Sequence, residues 1–259
     1  MKQLVMCMKK EWLELCRTKK LLFYILFAFA LVLFALAVVL VMDFVGQNVD
    51  VEEGDFSAMF SAKNLAGMTQ FFLAYLMTYY MIFVIVMQMG SSSKEMKKRM
   101  WLLPMTSGVR RSNIVLAKIV VLCLAALLPA VAAFLVNTLV GGLAFGNSGA
   151  AAVSAGDLFQ LGLCAAVTIF QFSVLTIALS AITGHTGATA AISVGVYLFG
   201  GLVLGLFDNF IYYTPLMFQT VAMGGGAVAL SAANWIVASL SSVVILAALI
   251  YFAMFKRVK

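Results

Sequence analysis

The sequence is poor in ionisable groups. Only 10% of its 259 residues are charged and a single histidine is present, against about 25% charged residues in an ordinary soluble chain. With 64% hydrophobic residues and a mean hydropathy of +1.08, a soluble globular domain is excluded. Alternating segments of about 10 residues are also missing, which excludes a transmembrane β-barrel. No G-x-x-x-x-G-K-[ST] pattern occurs, nor any polar stretch long enough for a nucleotide-binding domain. The centres of the apolar runs hold no Asp, Glu, Lys, Arg or His. That counts against a proton-coupled carrier and against an intramembrane enzyme, each of which needs such a group at depth. No catalytic residue and no metal site is expected.

Cysteine and proline are scarce too. Cys7, Cys16, Cys123 and Cys164 follow neither metal-ligand nor disulfide spacing, and are expected to be small buried residues. His185, in the short TGHTG connection, is expected to be a solvated turn residue. Of the three prolines, Pro104 should stop a helix, Pro129 should kink one, and Pro215 argues against a regular helix around it.

What the sequence does hold is apolar length. Charge-free runs at about 21–42, 67–89, 119–140, 158–182, 188–207 and 233–255 are each long enough to cross a hydrocarbon core of about 30 Å as a helix. The expected fold is therefore all-α and integral to the membrane, with one six-helix domain over 21–259. The first run is too long for the apolar part of a signal peptide and lacks a small-residue cleavage site, so it should remain as a span. Between the fifth and sixth runs, residues 208–232 carry Pro215 and Gly224-Gly225-Gly226; short re-entrant or capping helices are expected there instead of a seventh span.

Charge sets the orientation. With six spans, segments 1–20, 90–118, 183–187 and 256–259 share one side and hold sixteen of the seventeen Lys and Arg residues. The other side has only Lys63 among seven acidic residues. Both termini should then be cytoplasmic. The net charge of +7 belongs to span flanks, so it does not signal nucleic acid. Residues 1–20 read as an amphipathic helix lying in the bilayer interface. Leu4, Val5, Met8, Trp12, Leu15 and Cys16 share its apolar face, and Lys9, Lys10, Glu14 and Arg17 lie mostly opposite.

Uncharged polar residues are the candidates for a translocation path: Tyr75, Thr78, Tyr79 and Gln88 in the second span, Asn137 in the third, Gln171 and Ser173 in the fourth, Ser193 and Tyr197 in the fifth. Tyr75 and Tyr79 fall on one helix face at i and i+4. Gly187, Ala191 and Gly195 repeat at the same spacing, as do Gly201 and Gly205. Such rows let helix backbones approach closely, within one subunit or between two.

The most unusual stretch is KEMKKRMWLLPMTSGVRRSNIVLAK, residues 94–118, which concentrates seven of the basic residues. Its first part can form about two and a half helical turns, with Met96, Met100 and Leu103 on one face and Lys94, Glu95, Lys97 and Lys98 on the other. Thr106-Ser107-Gly108 supplies a turn, and Ser112 or Asn113 is placed to cap the next helix.

This stretch resembles the permease subunits of the second exporter class of ABC transporters, the drug, lipid and polysaccharide exporter type. Those chains carry an acidic residue, a run ending in Leu-Leu, a Pro followed by a small polar and a basic residue, and a Lys opening the next span. Glu95, Leu102-Leu103, Pro104, Ser107, Arg110 or Arg111, and Lys118 look like these elements. Where the family usually has Gly-Thr, this chain has Lys98-Arg99.

The resemblance implies a cytoplasmic coupling loop at 90–117, whose helix docks on a separate ABC ATPase through Glu95, Met96, Arg99, Met100, Trp101, Leu103 and Pro104. ATP and Mg would be bound by that partner, and two permease chains, like or unlike, would pair in a bacterial plasma membrane. It also implies an outer gate segment at 208–232 with Tyr212, Tyr213 and Pro215, and export of a lipid-like, drug or amphipathic peptide cargo. The alternative is a stand-alone secondary carrier or channel.

Overall fold

The apolar runs fold as helices in a computed structural model of the chain, which describes residues 2–48, 64–93, 95, 108–146, 153–207, 210–225 and 231–255. A first helix, α1 (Lys2–Arg17), is followed by six helices long and apolar enough to cross a membrane. These are α2 (Lys20–Asn48), α3 (Leu65–Gln88), α4 (Arg111–Phe145), α5 (Ala155–Thr183), α6 (Thr186–Gly205) and α8 (Ala232–Phe255). Between the last two lie a 3₁₀ turn (Phe210–Tyr213), the single α-turn α7 (Met217–Thr220) and a π turn (Val221–Gly225). No strand occurs among the described residues.

Local chemistry fixes the helix ends. Asn64 caps α3 by accepting the Gly67 amide at 2.7 Å. Ser154 and Asp157 form a reciprocal capping box at the start of α5, a device that satisfies two orphan amides at once. Gly184, at φ +68°, ends α5 in the left-handed conformation that glycine adopts without steric cost. The third span starts earlier than hydropathy places it. Its first helical residue is Arg111, because a polar first turn costs a helix nothing where it has left the apolar layer, and the capping position is held by Arg110. Ser112 and Asn113 therefore do not cap it.

The core is built around α4, which packs against α1, α2, α3, α5 and α8. Ala125, Ala126, Ala130 and Ala133 are fully or nearly fully buried along it. Small residues of this kind permit close approach where lipid removes the hydrophobic drive for helix association. Larger groups fill the space beside α2 and α3: Phe27 stacks on Phe83 at 4.6 Å, and Tyr24 meets the same ring edge-on at 5.6 Å.

The middle of α3 opens into a π turn at Leu76–Tyr80. Tyr80 is fully buried there, and its hydroxyl donates to the Ala126 carbonyl of α4 at 2.6 Å. That carbonyl lies beside Pro129, which lacks the amide that would otherwise bond the Ala125 carbonyl.

The face that α1 presents to the bundle differs from the one hydropathy defines. Leu15 is buried and Leu4 and Met8 are half-buried, but Val5, Trp12 and Cys16 are exposed and Glu11 takes their place inside. The helix is turned because Glu11 has a buried partner, described below. Among the cysteines, Cys123 and Cys164 are buried as expected; Cys7 is only half-buried and Cys16 is exposed, both by the same rotation.

Replacing Tyr80 with Phe should lower stability by about 1 kcal/mol, the usual worth of a buried hydrogen bond between membrane helices. Unfolding midpoints in mixed micelles measure this. Tyr79→Phe, on a half-exposed ring, should leave the midpoint unchanged.

Candidate functional site

At the end of the bundle where α1, α3 and α4 meet, a lysine sits two turns inside the third span. Lys118 is 1% exposed, and its Nζ donates to both oxygens of Glu11 at 2.9 Å and to Oε1 of Glu95 at 2.8 Å. Glu11 is 6% exposed and Glu95 8%. A buried ammonium without partners is prohibitively costly, so its two carboxylates have to be brought to it. One comes from the first helix and the other from the segment that opens the polar stretch.

Two carboxylates around one ammonium leave the cluster with excess negative charge. Burial pushes the Glu11 carboxyl above the ordinary carboxylate range, and attraction and hydrogen bonding from Lys118 offset only part of this. Glu14 adds a third acidic group: one oxygen of each of Glu11, Glu14 and Glu95 lies within 4.8 Å of the others. The ammonium of Lys118 already fills the role a divalent cation would have between Glu11 and Glu95. A small cleft beside the cluster is also lined by Thr18, Lys20 and Ser91.

The far end of the polar stretch is tied to α1 as well. Gln3 accepts from the Asn113 side-chain amide at 3.2 Å and makes a long 3.5 Å contact to the Gly108 carbonyl. Gly108 has φ +82°, the left-handed geometry that suits the turn expected at Thr106-Ser107-Gly108. Next to it, Arg111 donates to the Ala181 carbonyl at the end of α5, and the amides of Ser92 and Ser93 donate to Ser180. Both stems of the stretch are thereby fixed to α1, α4 and α5.

Residues 51–259 match a family described as a protein of unknown function (DUF2705). The chain belongs to this family. No curated protein and no solved structure matches it. The DUF2705 region includes Glu95 and Lys118, whereas Glu11 lies ahead of it.

In this DUF2705 chain the expected ATPase-coupling residues divide. Glu95 is placed in the cluster; Met96, Arg99, Met100, Trp101, Leu103 and Pro104 lie outside the described residues. The charged and aromatic residues of α1, Lys9, Lys10, Trp12 and Arg17, are all exposed.

Five of the path candidates, Tyr75, Tyr79, Gln88, Ser193 and Tyr197, do not converge. Tyr75 and Tyr79 stack on each other at 5.9 Å on the side facing α2, where Tyr75 also meets Phe34. Gln88 is buried against α4 and donates to the Leu122 carbonyl at 3.2 Å. Ser193 and Tyr197 are buried on α6, where Tyr197 meets Phe172 edge-on at 5.0 Å. Their hydroxyls have no hydrogen-bond partner among the described residues. Of the gate candidates, Tyr212 and Pro215 are half-buried and Tyr213 is exposed.

Glu11 and Gln3 were not singled out by sequence. The signal for Glu11 was present: it falls on the stripe Leu4, Met8, Leu15 at i, i+4, i+11, just as Lys118 interrupts the apolar NIVLAKIVVL. Two opposite charges, each set within an apolar stripe, are mutual candidates for pairing.

Lys118→Met should destabilise the chain by about 3–5 kcal/mol, since it strands buried carboxylates. The triple variant Glu11→Gln, Lys118→Met, Glu95→Gln should recover a large part of that loss. Thermal unfolding of the detergent-solubilised variants gives the comparison.

Proposed function

We propose that this chain is the membrane-spanning permease subunit of an ATP-driven exporter of the second ABC class. The single observation that carries the proposal is the Glu11–Lys118–Glu95 cluster. It locks the start of the 90–117 loop, the first helix and the third span into one rigid unit at the basic end of the molecule. A force applied to that loop from outside the membrane is then delivered to α1 and α4 together. Packed side chains and buried ion pairs transmit displacement because they have few alternative arrangements.

The remaining roles follow from this assignment. Both termini and the loop are cytoplasmic, by the basic bias of those segments. The α1 helix lies in the interface: Val5, Met6, Trp12 and Leu13 are exposed apolar groups beside exposed Lys9, Lys10 and Arg17, a surface suited to anionic headgroups. Met96, Arg99, Met100, Trp101, Leu103 and Pro104 form the docking face for an ABC ATPase, which holds ATP and Mg. Residues 208–232 act as re-entrant helices at the outer end, with Tyr212, Tyr213 and Pro215 in the gate. A second permease chain completes the pathway in the plasma membrane of a bacterium, with a lipid-like, drug or amphipathic peptide cargo.

A stand-alone carrier is favoured by one feature, the unpartnered buried hydroxyls of Ser173, Ser193 and Tyr197. Such a carrier would produce flux in liposomes holding this chain alone, which the exporter reading does not allow.

The tagged chain should co-purify with a soluble ABC ATPase from its native host. Trp101→Ala should weaken that association by about 30-fold, the effect of truncating a central aromatic anchor, and should reduce coupled ATP turnover in reconstituted vesicles. Full association and turnover in the variant would refute the docking assignment.

A further inference from the structure

The end of the bundle opposite the termini carries two adjoining cavities to which the transport reading gives no ligand, although one of them borders the proposed gate segment. One, of about 340 Å³, lies between α3, α5 and the π turn Val221–Gly225, with Thr69, Gln70, Asp157 and Gln160 in its wall. The other, of about 400 Å³, is an apolar groove between α3, α4 and α5, lined by Leu76, Phe134, Leu135, Phe159 and Leu163 among others. Leu158 belongs to both walls, so the polar cavity and the apolar one adjoin at this residue.

Their chemistry differs in a directed way. In the polar cavity Thr69 is 1% exposed, yet its hydroxyl has no hydrogen-bond partner among the described residues. Leaving a buried hydroxyl unpaired is costly, so the group is available to a ligand. Asp157 uses only Oδ2 for the Ser154 cap. Among the described residues it is the single charged one in that wall. In the groove, Leu135, Phe159 and Leu163 are exposed on the bundle surface, so this cavity opens sideways toward lipid.

Depth matches a leaflet. Asp157 and Thr69 lie two and four residues inside the starts of α5 and α3, about 3 and 6 Å at 1.5 Å per residue, which is headgroup level. From Leu158 to Ile169, both groove residues, α5 rises about 16 Å, close to half of a hydrocarbon core of about 30 Å.

We propose that these cavities form a binding site for one membrane lipid with an ammonium-bearing headgroup, its head at Asp157 and Thr69 and one acyl chain in the groove. The carboxylate supplies the countercharge, the Thr69 hydroxyl a hydrogen bond, and the groove replaces the lipid contacts of a single chain. The site is independent of the ATPase assignment, because it is complete within this chain.

The test uses the full chain in nanodiscs of phosphatidylglycerol. Trace photoactivatable phosphatidylethanolamine or phosphatidylglycerol, identical in their diazirine acyl chains, is added, and labelled residues are mapped by mass spectrometry. The ethanolamine probe should label residues around 134–138 and 158–163 about fivefold more than the glycerol probe, the size expected of one charge pair in near-aqueous surroundings. Asp157→Asn, which keeps the helix cap, should bring the two probes level. Ala166→Trp, which fills the groove, should remove labelling there by both.

Equal labelling by the two probes in the wild-type chain overturns the proposal, and that comparison needs no variant. So does labelling spread evenly over α2, α6 and α8, or labelling indifferent to Ala166→Trp. Displacement of the ethanolamine probe by dodecyltrimethylammonium, with no preference between the two lipids, would assign the site to a free amphiphile instead and overturn the lipid.

Discussion

A lysine that must be neutralised away from water organises the basic end of this protein. Lys118 lies inside a helix otherwise built for lipid, and its ammonium cannot reach solvent. The cost of burying it is met only by bringing carboxylates to it in good geometry, and the chain supplies two from segments 107 and 23 residues away in sequence. That requirement rotates α1 so that Glu11 faces inward, and it fixes where the polar stretch leaves α3. Burial, with a smaller contribution from the neighbouring Glu95 carboxylate, holds the Glu11 carboxyl above its usual range even beside an ammonium.

Rigidity at this end is matched by irregularity in the middle. The π turn of α3 and the proline of α4 face each other, joined by Tyr80 and the Ala126 carbonyl. Here the Tyr80 hydroxyl of α3 adds a bond to the Ala126 carbonyl, next to the Ala125 carbonyl that Pro129 leaves without its helical donor. A clamped basic end joined to helices carrying two built-in irregularities suits the motion that the proposed coupling requires.

Much of this was legible in the sequence, for reasons that differ by element. The six spans were read to within a few residues at most ends, because lipid-facing helices must be apolar on every side and charges must sit at their edges. The apolar run of the third span begins eight residues after the start of α4, because hydropathy marks where lipid begins and helix geometry continues past it into water; the cap expected at Ser112 or Asn113 lies two or three residues past Arg110. The helical character of the first twenty residues was legible and its inward face was not. Hydropathy assigns Glu11 to solvent, and only a partner 107 residues distant reverses that. Glu95 and Lys118 were found through a resemblance in the polar stretch, but nothing in that resemblance placed Glu11 between them and α1.

The same logic gives meaning to a row of small residues on α6. Its buried face is Thr189, Ser193 and Tyr197, at i, i+4 and i+8, directed at α5. Gly187, Ala191 and Gly195 point elsewhere: a side-chain carbon added at Gly187 or Gly195 would meet nothing within 4 Å. Among the described residues, the row therefore meets no packing partner within the subunit. Leucine or valine would face lipid equally well and favour the helix more, so the glycines cost helix stability without return in an isolated chain. In membranes, rows of small residues earn that cost where a second helix backbone comes close. A second permease chain of the kind the proposed assembly needs would find its contact surface there, on α6, the helix that this chain leaves among its least buried.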